Sequence, residues 1–362
     1  MHEATVIMEG RCGVGEPSFA RLECVLRRSG VPDRVPLFEL GNDLEHGVLH
    51  ALGVLRPRPS NEEADWHFRQ HLDHQLALGY DYVKVMPANT LFAAAPPRDS
   101  WRAAEALHQP PPARRRVASR ADFDRYPWPR PEQVDYRLLE RAARLLPSDM
   151  RILSGTAGVL ETTLDVLGLE GIGYLLADDE PLVAATFDRV GAHLVAVTAA
   201  LAEQSAVGAL FHTDDLAFRT QTLLSPAALR RYVLPWHRRV VEAAHRHGKP
   251  IVLRSGGRLE AVAEDVLSCG WDARHGFEDV AEPVWQAKER YGSRIALLGG
   301  FDVDRLARSS ADEVRAHTRY LLEHCAPGGG YALGTGRAVG APVPVENYLA
   351  MVDAAREWSM GD

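Results

Sequence analysis

The chain has 362 residues, 46% of them hydrophobic, which is enough to fill one large core. Its 41 basic and 49 acidic side chains leave a net charge of −8. Beyond the short Arg114-Arg115-Arg116 run there is no basic tract, so a nucleic-acid footprint is missing and the partners expected are small molecules or proteins.

Cys12, Cys24, Cys269 and Cys325 are widely spaced with no CxxC pair. This indicates neither a disulfide framework nor a cysteine zinc site and suits reduced thiols in the cytoplasm. The opening MHEATVIMEG carries glutamates and glycine where a signal peptide needs an apolar stretch, and no uninterrupted apolar run reaches the roughly 20 residues that span a bilayer. A cytoplasmic protein without membrane contact is expected.

In chain order, residues 1–30 read as an N-terminal extension and residues 31–362 as a single domain. Eight short apolar segments read as strands: Val35–Leu40, Asp81–Met86, Arg151–Ser154, Val207–His212, Pro250–Arg254, Asp272–Gly276, Arg294–Gly299 and Gly330–Thr335. Segments of helical periodicity lie between them, among them Ala227–His247, Arg258–Ser268, Val284–Tyr291 and Ala311–His324. Strand then helix, repeated, is the rhythm of a parallel sheet. Gly248, Gly270, Gly292 and Gly328 each sit where a helix must end before the next strand, a position that favours a left-handed terminator. Eight units predict an α/β fold of the closed (β/α)8 TIM-barrel type, with an open doubly wound sheet as the alternative.

Prolines interrupt this rhythm after the second strand. Pro96-Pro97, Pro110-Pro111-Pro112 and the Tyr126-Pro127-Trp128-Pro129-Arg130-Pro131 run define an excursion over residues 96–131, with a short helix expected at Trp101–His108. It reads either as a lid or wall over a pocket, or as a solvent-facing loop pinned by Tyr126 and Trp128.

Barrel chemistry sits at the C-terminal tips of the strands. Phe211-His212-Thr213-Asp214-Asp215 ends the fourth predicted strand, and adjacent carboxylates there suit proton transfer or helix capping. Arg254 follows three apolar residues, so its guanidinium is aimed either at a substrate carboxylate or at Asp214 or Asp215. Ser255-Gly256-Gly257 behind it offers exposed amides for an anion. His275 and Glu278 bracket the sixth strand tip, His275 as an acid–base candidate and Glu278 as a substrate contact. Asp302, Thr335 and Arg337 follow the last two strands, with Arg337 a second carboxylate clamp. The glycines around Gly328-Gly329-Gly330 have neither dinucleotide nor P-loop spacing, and no G-x-S-x-G elbow is present.

The ordered set Asp122-Phe123-Asp124-Arg125-Tyr126-Pro127-Trp128-Pro129, Leu224-Ser225-Pro226 through Tyr232-Val233-Leu234-Pro235, His247-Gly248-Lys249-Pro250, Arg290-Tyr291-Gly292-Ser293-Arg294-Ile295 and Gly328-Gly329-Gly330 through Pro344-Val345-Glu346-Asn347 resembles the uroporphyrinogen decarboxylase superfamily. That superfamily also includes corrinoid-linked methyltransferases and O-demethylases. The resemblance spans roughly residues 30 to 357 and implies a (β/α)8 barrel with a pocket at its C-terminal face. It also implies where this chain departs from its relatives. Thiol methyltransferases of the superfamily hold zinc with His-x-Cys after the strand matched by Ile251–Leu253 and a later cysteine. Here Arg254, Gly256 and Thr335 stand in those places, so no metal is expected. The decarboxylases use an arginine-rich motif near the first strand, an aspartate after the second and a late histidine. Here those places hold Phe38-Glu39-Leu40-Gly41-Asn42-Asp43, the loop containing Asn89, and Thr335.

The leading expectation is therefore a decarboxylase-like lyase acting on a small or medium carboxylated substrate. Arg254 clamps the carboxylate, Asp214, Asp215 or His275 moves the proton, and Asn89, His212, Glu278, Asp302, Thr335 and Arg337 line the substrate. No cofactor is expected under it. The alternatives are a corrinoid-linked methyltransferase or O-demethylase with a corrinoid-protein partner, and a non-catalytic ligand-binding barrel; a homodimer is compatible with each.

Overall fold

The protein is described by a computed structural model over residues 16–56, 65–87, 117–340 and 342–358. Among these residues, seven parallel strands follow one another in chain order: β1 (Tyr82–Lys84), β2 (Arg151–Ala157), β3 (Val207–Thr213), β4 (Ile251–Arg254), β5 (Ala273–His275), β6 (Ala296–Leu298) and β7 (Tyr331–Ala332). Each falls on one of the expected apolar segments, and helices separate them, as parallel pairing requires.

The eighth expected strand is the correction. Val35–Leu40 forms only an isolated parallel bridge at Leu37 opposite Leu333, through Leu333 N–H to Pro36 O at 2.9 Å and Phe38 N–H to Leu333 O at 2.7 Å. Pro36 has no N–H to extend that ladder. The fold is thus an α/β sheet of seven strands, related to a TIM barrel but not a closed eight-stranded one.

The chain forms two compact units. The first draws its described residues from Met1–Lys84, Arg141–Leu153 and Asp272–Asp362. In it β1 pairs with the start of β2 (Val83 opposite Ile152), β5 with β6 (Arg274 opposite Leu297) and β6 with β7 (Leu298 opposite Ala332). Phe38, Tyr80, Tyr82, Phe301, Tyr331 and Tyr348 are fully buried in its core, with the Tyr80 and Tyr348 hydroxyls 2.6 Å apart. The expected helix at 311–324 runs Ala311–Cys325, started by a capping box in which Ser310 N–H donates to Glu313 Oε2 at 2.8 Å.

The second unit covers Val85–Glu140 and Ser154–Trp271. β3 and β4 pair from Leu210 opposite Ile251 to Thr213 opposite Arg254. Its longest helix, Glu180–Glu203, buries Leu182, Val183, Phe187, Val190, Leu194, Val197 and Leu201. It is the one described helix long and apolar enough to cross a membrane by length and composition, and Asp188 and Arg189 interrupt it. The helix expected over Ala227–His247 is broken into Pro226–Ala228, a π-turn at Leu229–Val233 and Leu234–His245. Pro235 explains the break, because it lacks the N–H that an uninterrupted α-helix would need there. Gly248 and Gly270 end their helices at φ +70° and +90° as expected, whereas Gly292 keeps a right-handed φ of −58°.

Of the proline-rich excursion, residues 117–131 are described. There Trp128 packs on Tyr126 and Phe123 and donates its indole N–H to Phe123 O at 2.9 Å. The helix expected at Trp101–His108 and the candidate Asn89 lie outside the described residues.

Candidate functional site

In the second unit, the ends of β2, β3 and β4 carry a cluster of charge that the apolar strands alone would not tolerate. β4 delivers Arg254, 6% exposed, against Asp215 at the end of β3, with the guanidinium hydrogen-bonded to Asp215 Oδ2. Gly256 N–H donates to the other oxygen, Asp215 Oδ1, at 2.6 Å. Ser255 accepts from Leu216 N–H at 3.1 Å. Of the Ser255-Gly256-Gly257 amides expected to cradle an external anion, that of Gly256 thus has Asp215 as an internal one.

Glu161 completes this cluster and escaped the sequence reading. It stands in the first turn of the helix Val159–Leu167, just past the end of β2, and the Asp215 amide donates to its carboxyl. Burial first, then the Asp215 and Asp214 charges, push the Glu161 carboxyl well above its usual range, against the opposing pull of Arg254. It is a carboxylic acid with a raised pKa beside a compensated Arg–Asp pair.

Asp214 does a different job from Asp215. It is fully buried and caps the same helix, accepting Leu160 N–H at 3.1 Å and Glu161 N–H at 3.0 Å. His237 Nε2 reaches Asp214 Oδ2 at 2.8 Å. Burial would raise the Asp214 carboxyl, but the hydrogen bond and charge of His237 outweigh it and hold the group below its ordinary value. His212 lies 3.9 Å from Asp214 through Nε2, stacks on Trp271, and contacts Thr156 Oγ1 at 2.9 Å through Nδ1. Burial and the adjacent His237 push it down to about 3, so it is neutral. His212, Asp214 and His237 bring one donor atom each within 4.8 Å. The Asp214 oxygens already serve two helix amides and an imidazole, which makes the trio a buried cap network and a poor metal centre.

That cap fixes a glycine. A Cβ on Gly158 would lie 2.2 Å from Asp214 Oδ1. Asp214 cannot withdraw without abandoning its three partners, so Gly158→Ala is expected to destabilise the fold by about 1–3 kcal/mol. The shift of the urea midpoint at unchanged m-value checks this.

The first unit holds the remaining candidates. Thr335 N–H donates to Glu39 Oε1 at 2.7 Å, and Thr335 Oγ1 lies 2.6 Å from Glu39 Oε2 while also bonding Arg337 O. One hydroxyl has one proton, so all three contacts are satisfied only when Glu39 is the acid and donates to Thr335. Burial pushes Glu39 up to about 8, in agreement with that count. His275 is buried and its Nε2 meets Thr335 O at 2.9 Å. Arg337 is half exposed and approaches Glu278 at 3.5 Å. Asp302 caps the helix Val303–Arg308 through Asp304 N–H at 2.9 Å and Arg305 N–H at 3.2 Å, and also accepts Asp279 N–H at 3.1 Å. Of the predicted residues, then, Asp215 and Arg254 form one ionic pair, His212 and Asp214 one buried network, and His275 and Thr335 a third group.

Comparison with known proteins adds the lineage. The family described as uroporphyrinogen decarboxylase (URO-D) matches residues 105–358. The uroporphyrinogen decarboxylase of Alkalilimnicola ehrlichii is 31% identical over 266 residues, 67% of this chain and 68% of that protein. A methylated-thiol–coenzyme M methyltransferase of Methanosarcina mazei is 31% identical over 157 residues, 42% of this chain and 40% of that protein. A solved methyltransferase from Methanosarcina mazei has the same fold, with a TM-score of 0.71 at 18% identity, over 94% of this chain and 99% of that one.

Proposed function

This chain belongs to the uroporphyrinogen decarboxylase family, and from that premise we propose that it is a methyltransferase, taking a methyl group from an ether oxygen to a corrinoid protein, with Glu161 protonating the departing oxygen. The charge balance at the strand tips carries the reading. Arg254 is neutralised by Asp215 inside the protein. A substrate carboxylate would have to displace Asp215, itself one-third exposed, and then sit beside Asp214 and Glu161. A neutral ether meets no such cost. This argues against Arg254 as the carboxylate clamp of a lyase.

The chemistry closes around Glu161. As the methyl carbon passes to the acceptor's electron pair, the C–O bonding pair stays on oxygen. The Glu161 proton goes to that oxygen, giving a phenol or alcohol, and solvent reprotonates the carboxylate. A carboxyl whose pKa is raised toward the working pH is what such a leaving group needs. The zinc arrangement of the family's thiol methyltransferases does not fit: Arg254, Gly256 and Thr335 supply neither thiolate nor imidazole.

Decarboxylation stays as the second reading because the relative matched over 266 residues carries that name. In it the Glu161 proton would go to the carbanion left by CO2. The two separate in one experiment. The purified chain is mixed with a methoxyphenol and reduced free cobalamin as acceptor surrogate, following the cobalamin spectrum, and in parallel with carboxylated substrates, following CO2. Cobalamin methylation without CO2 release is the expected result; CO2 release without methylation overturns the proposal.

A further inference from the structure

We propose that Glu45, His71 and His74, in the first compact unit, form a binding site for one divalent transition-metal ion of the Zn2+ or Co2+ type, built from residues that no role above employs. Glu45 opens the helix Glu45–Ala51, while His71 and His74 stand three residues apart on the helix Trp66–Leu78 and so share a face. The two helices pack together and bring one donor atom from each residue within 4.8 Å of the others. His71 Nδ1 is 2.8 Å from Glu45 Oε2, and the two imidazoles stack at 6.4 Å between centroids.

Two observations point to a ligand beyond this clustering. His74 is 1% exposed and its Nε2 is a buried polar atom with no hydrogen-bond partner, which a folded core rarely tolerates. Its other nitrogen faces the Gln75 side-chain amide at 3.2 Å. The contacting atom is the amide nitrogen, Gln75 Nε2; the nitrogen and oxygen of a side-chain amide exchange by a flip, and with the oxygen accepting from Nδ1–H the lone pair lies on Nε2, free for a metal. His71, 13% exposed at its side chain, provides the solvent route that the sealed His212–Asp214–His237 trio lacks.

The donor set fixes the class of ion. Two imidazoles and one carboxylate suit Zn2+, Co2+ or Ni2+ and leave further positions for water, whereas Mg2+ and Ca2+ call for oxygen ligands. Tetrahedral coordination at ordinary bond lengths needs donors about 3.4 Å apart, which small side-chain rotations reach from the observed spacing.

The test is titration of the chelator-treated full chain with Co2+, read by visible absorption and equilibrium dialysis. One Co2+ per chain is expected, displaced by Zn2+, with a nitrogen–oxygen spectrum lacking thiolate charge-transfer bands. His74→Ala should weaken binding beyond the about 10–100-fold that loss of an outer-sphere partner costs. His71→Ala, at the more exposed position, should do the same while circular dichroism remains that of the parent. Absence of stoichiometric binding to the parent chain, a thiolate spectrum, or binding that survives both substitutions overturns the proposal.

Discussion

Glu161→Gln is expected to lose about 10²–10⁴-fold in methyl-transfer rate while becoming more stable than the parent at neutral pH. Both halves follow from one fact, the upward displacement of the Glu161 carboxyl by burial and by Asp215 and Asp214. Glutamine preserves the size of the group and an oxygen for the Asp215 amide, but it has no proton to give. The stability change has a definite sign. An unfolded glutamate ionises near 4.5, whereas the folded one stays protonated to higher pH. Between those values the native state binds more protons than the unfolded chain, so the parent loses stability as pH rises through that window. The variant has no such loss. Urea midpoints at pH 4 and pH 8, measured beside the rate, should diverge in the variant's favour at the higher pH. A variant less stable than the parent at pH 8 would remove the protonated acid from the site, and with it the reason to assign Glu161 the proton transfer.

Why Glu161 escaped a reading that found Arg254 and Asp215 is a matter of how strand ends show themselves. Ile251-Val252-Leu253 is a continuous apolar run, and the arginine after it marks the tip of β4 without ambiguity. β2 instead finishes in Gly155-Thr156-Ala157, small residues with little hydrophobic signal, so the apolar pattern stops at Ser154, three residues short of the tip. Nothing in the local pattern then ties Glu161, in the first turn of the next helix, to that tip. A Cβ at Gly155 would lie 2.1 Å from Phe211 O, so the glycine that hides the strand is required by the close approach of β3.

His237 was concealed in a different way. It lies on the same helix as Val240, Val241 and Ala244, all buried, where a histidine reads as a tolerated core residue. Only the fold brings it to Asp214, 23 residues away in sequence. Glu39 and Thr335 are separated by 296 residues, and no local pattern announces that they share a proton. Apolar periodicity thus disclosed seven strands and their order, because burial acts on every residue of a strand. Pairings between polar groups depend on a few atoms each and leave no periodic trace. The missing eighth strand belongs to the same category, since one imino acid, Pro36, outweighs the apolar pattern around it.

Asp214→Ala is expected to cost about 3–5 kcal/mol of folding stability, the range for breaking a buried charged pair by removing one member. The substitution strands Leu160 N–H and Glu161 N–H at the start of a buried helix and leaves His237 Nε2 without its acceptor. Each is a buried polar group whose desolvation is no longer offset. Because the Asp214 carboxyl is held below its unfolded value near 3.8, its contribution is fully present above that value and disappears as pH falls through the lower, folded one. The parent and variant curves of stability against pH should therefore converge only in strong acid. Asp214→Asn tests the division of labour between the neighbouring aspartates: it retains one oxygen for a helix amide and should fall between the two in stability. If Asp214→Asn instead matched the parent in stability but lost turnover, Asp214 would be acting on the substrate rather than holding Glu161's helix in place, and the acid would have to be sought in the Asp214–His237 pair.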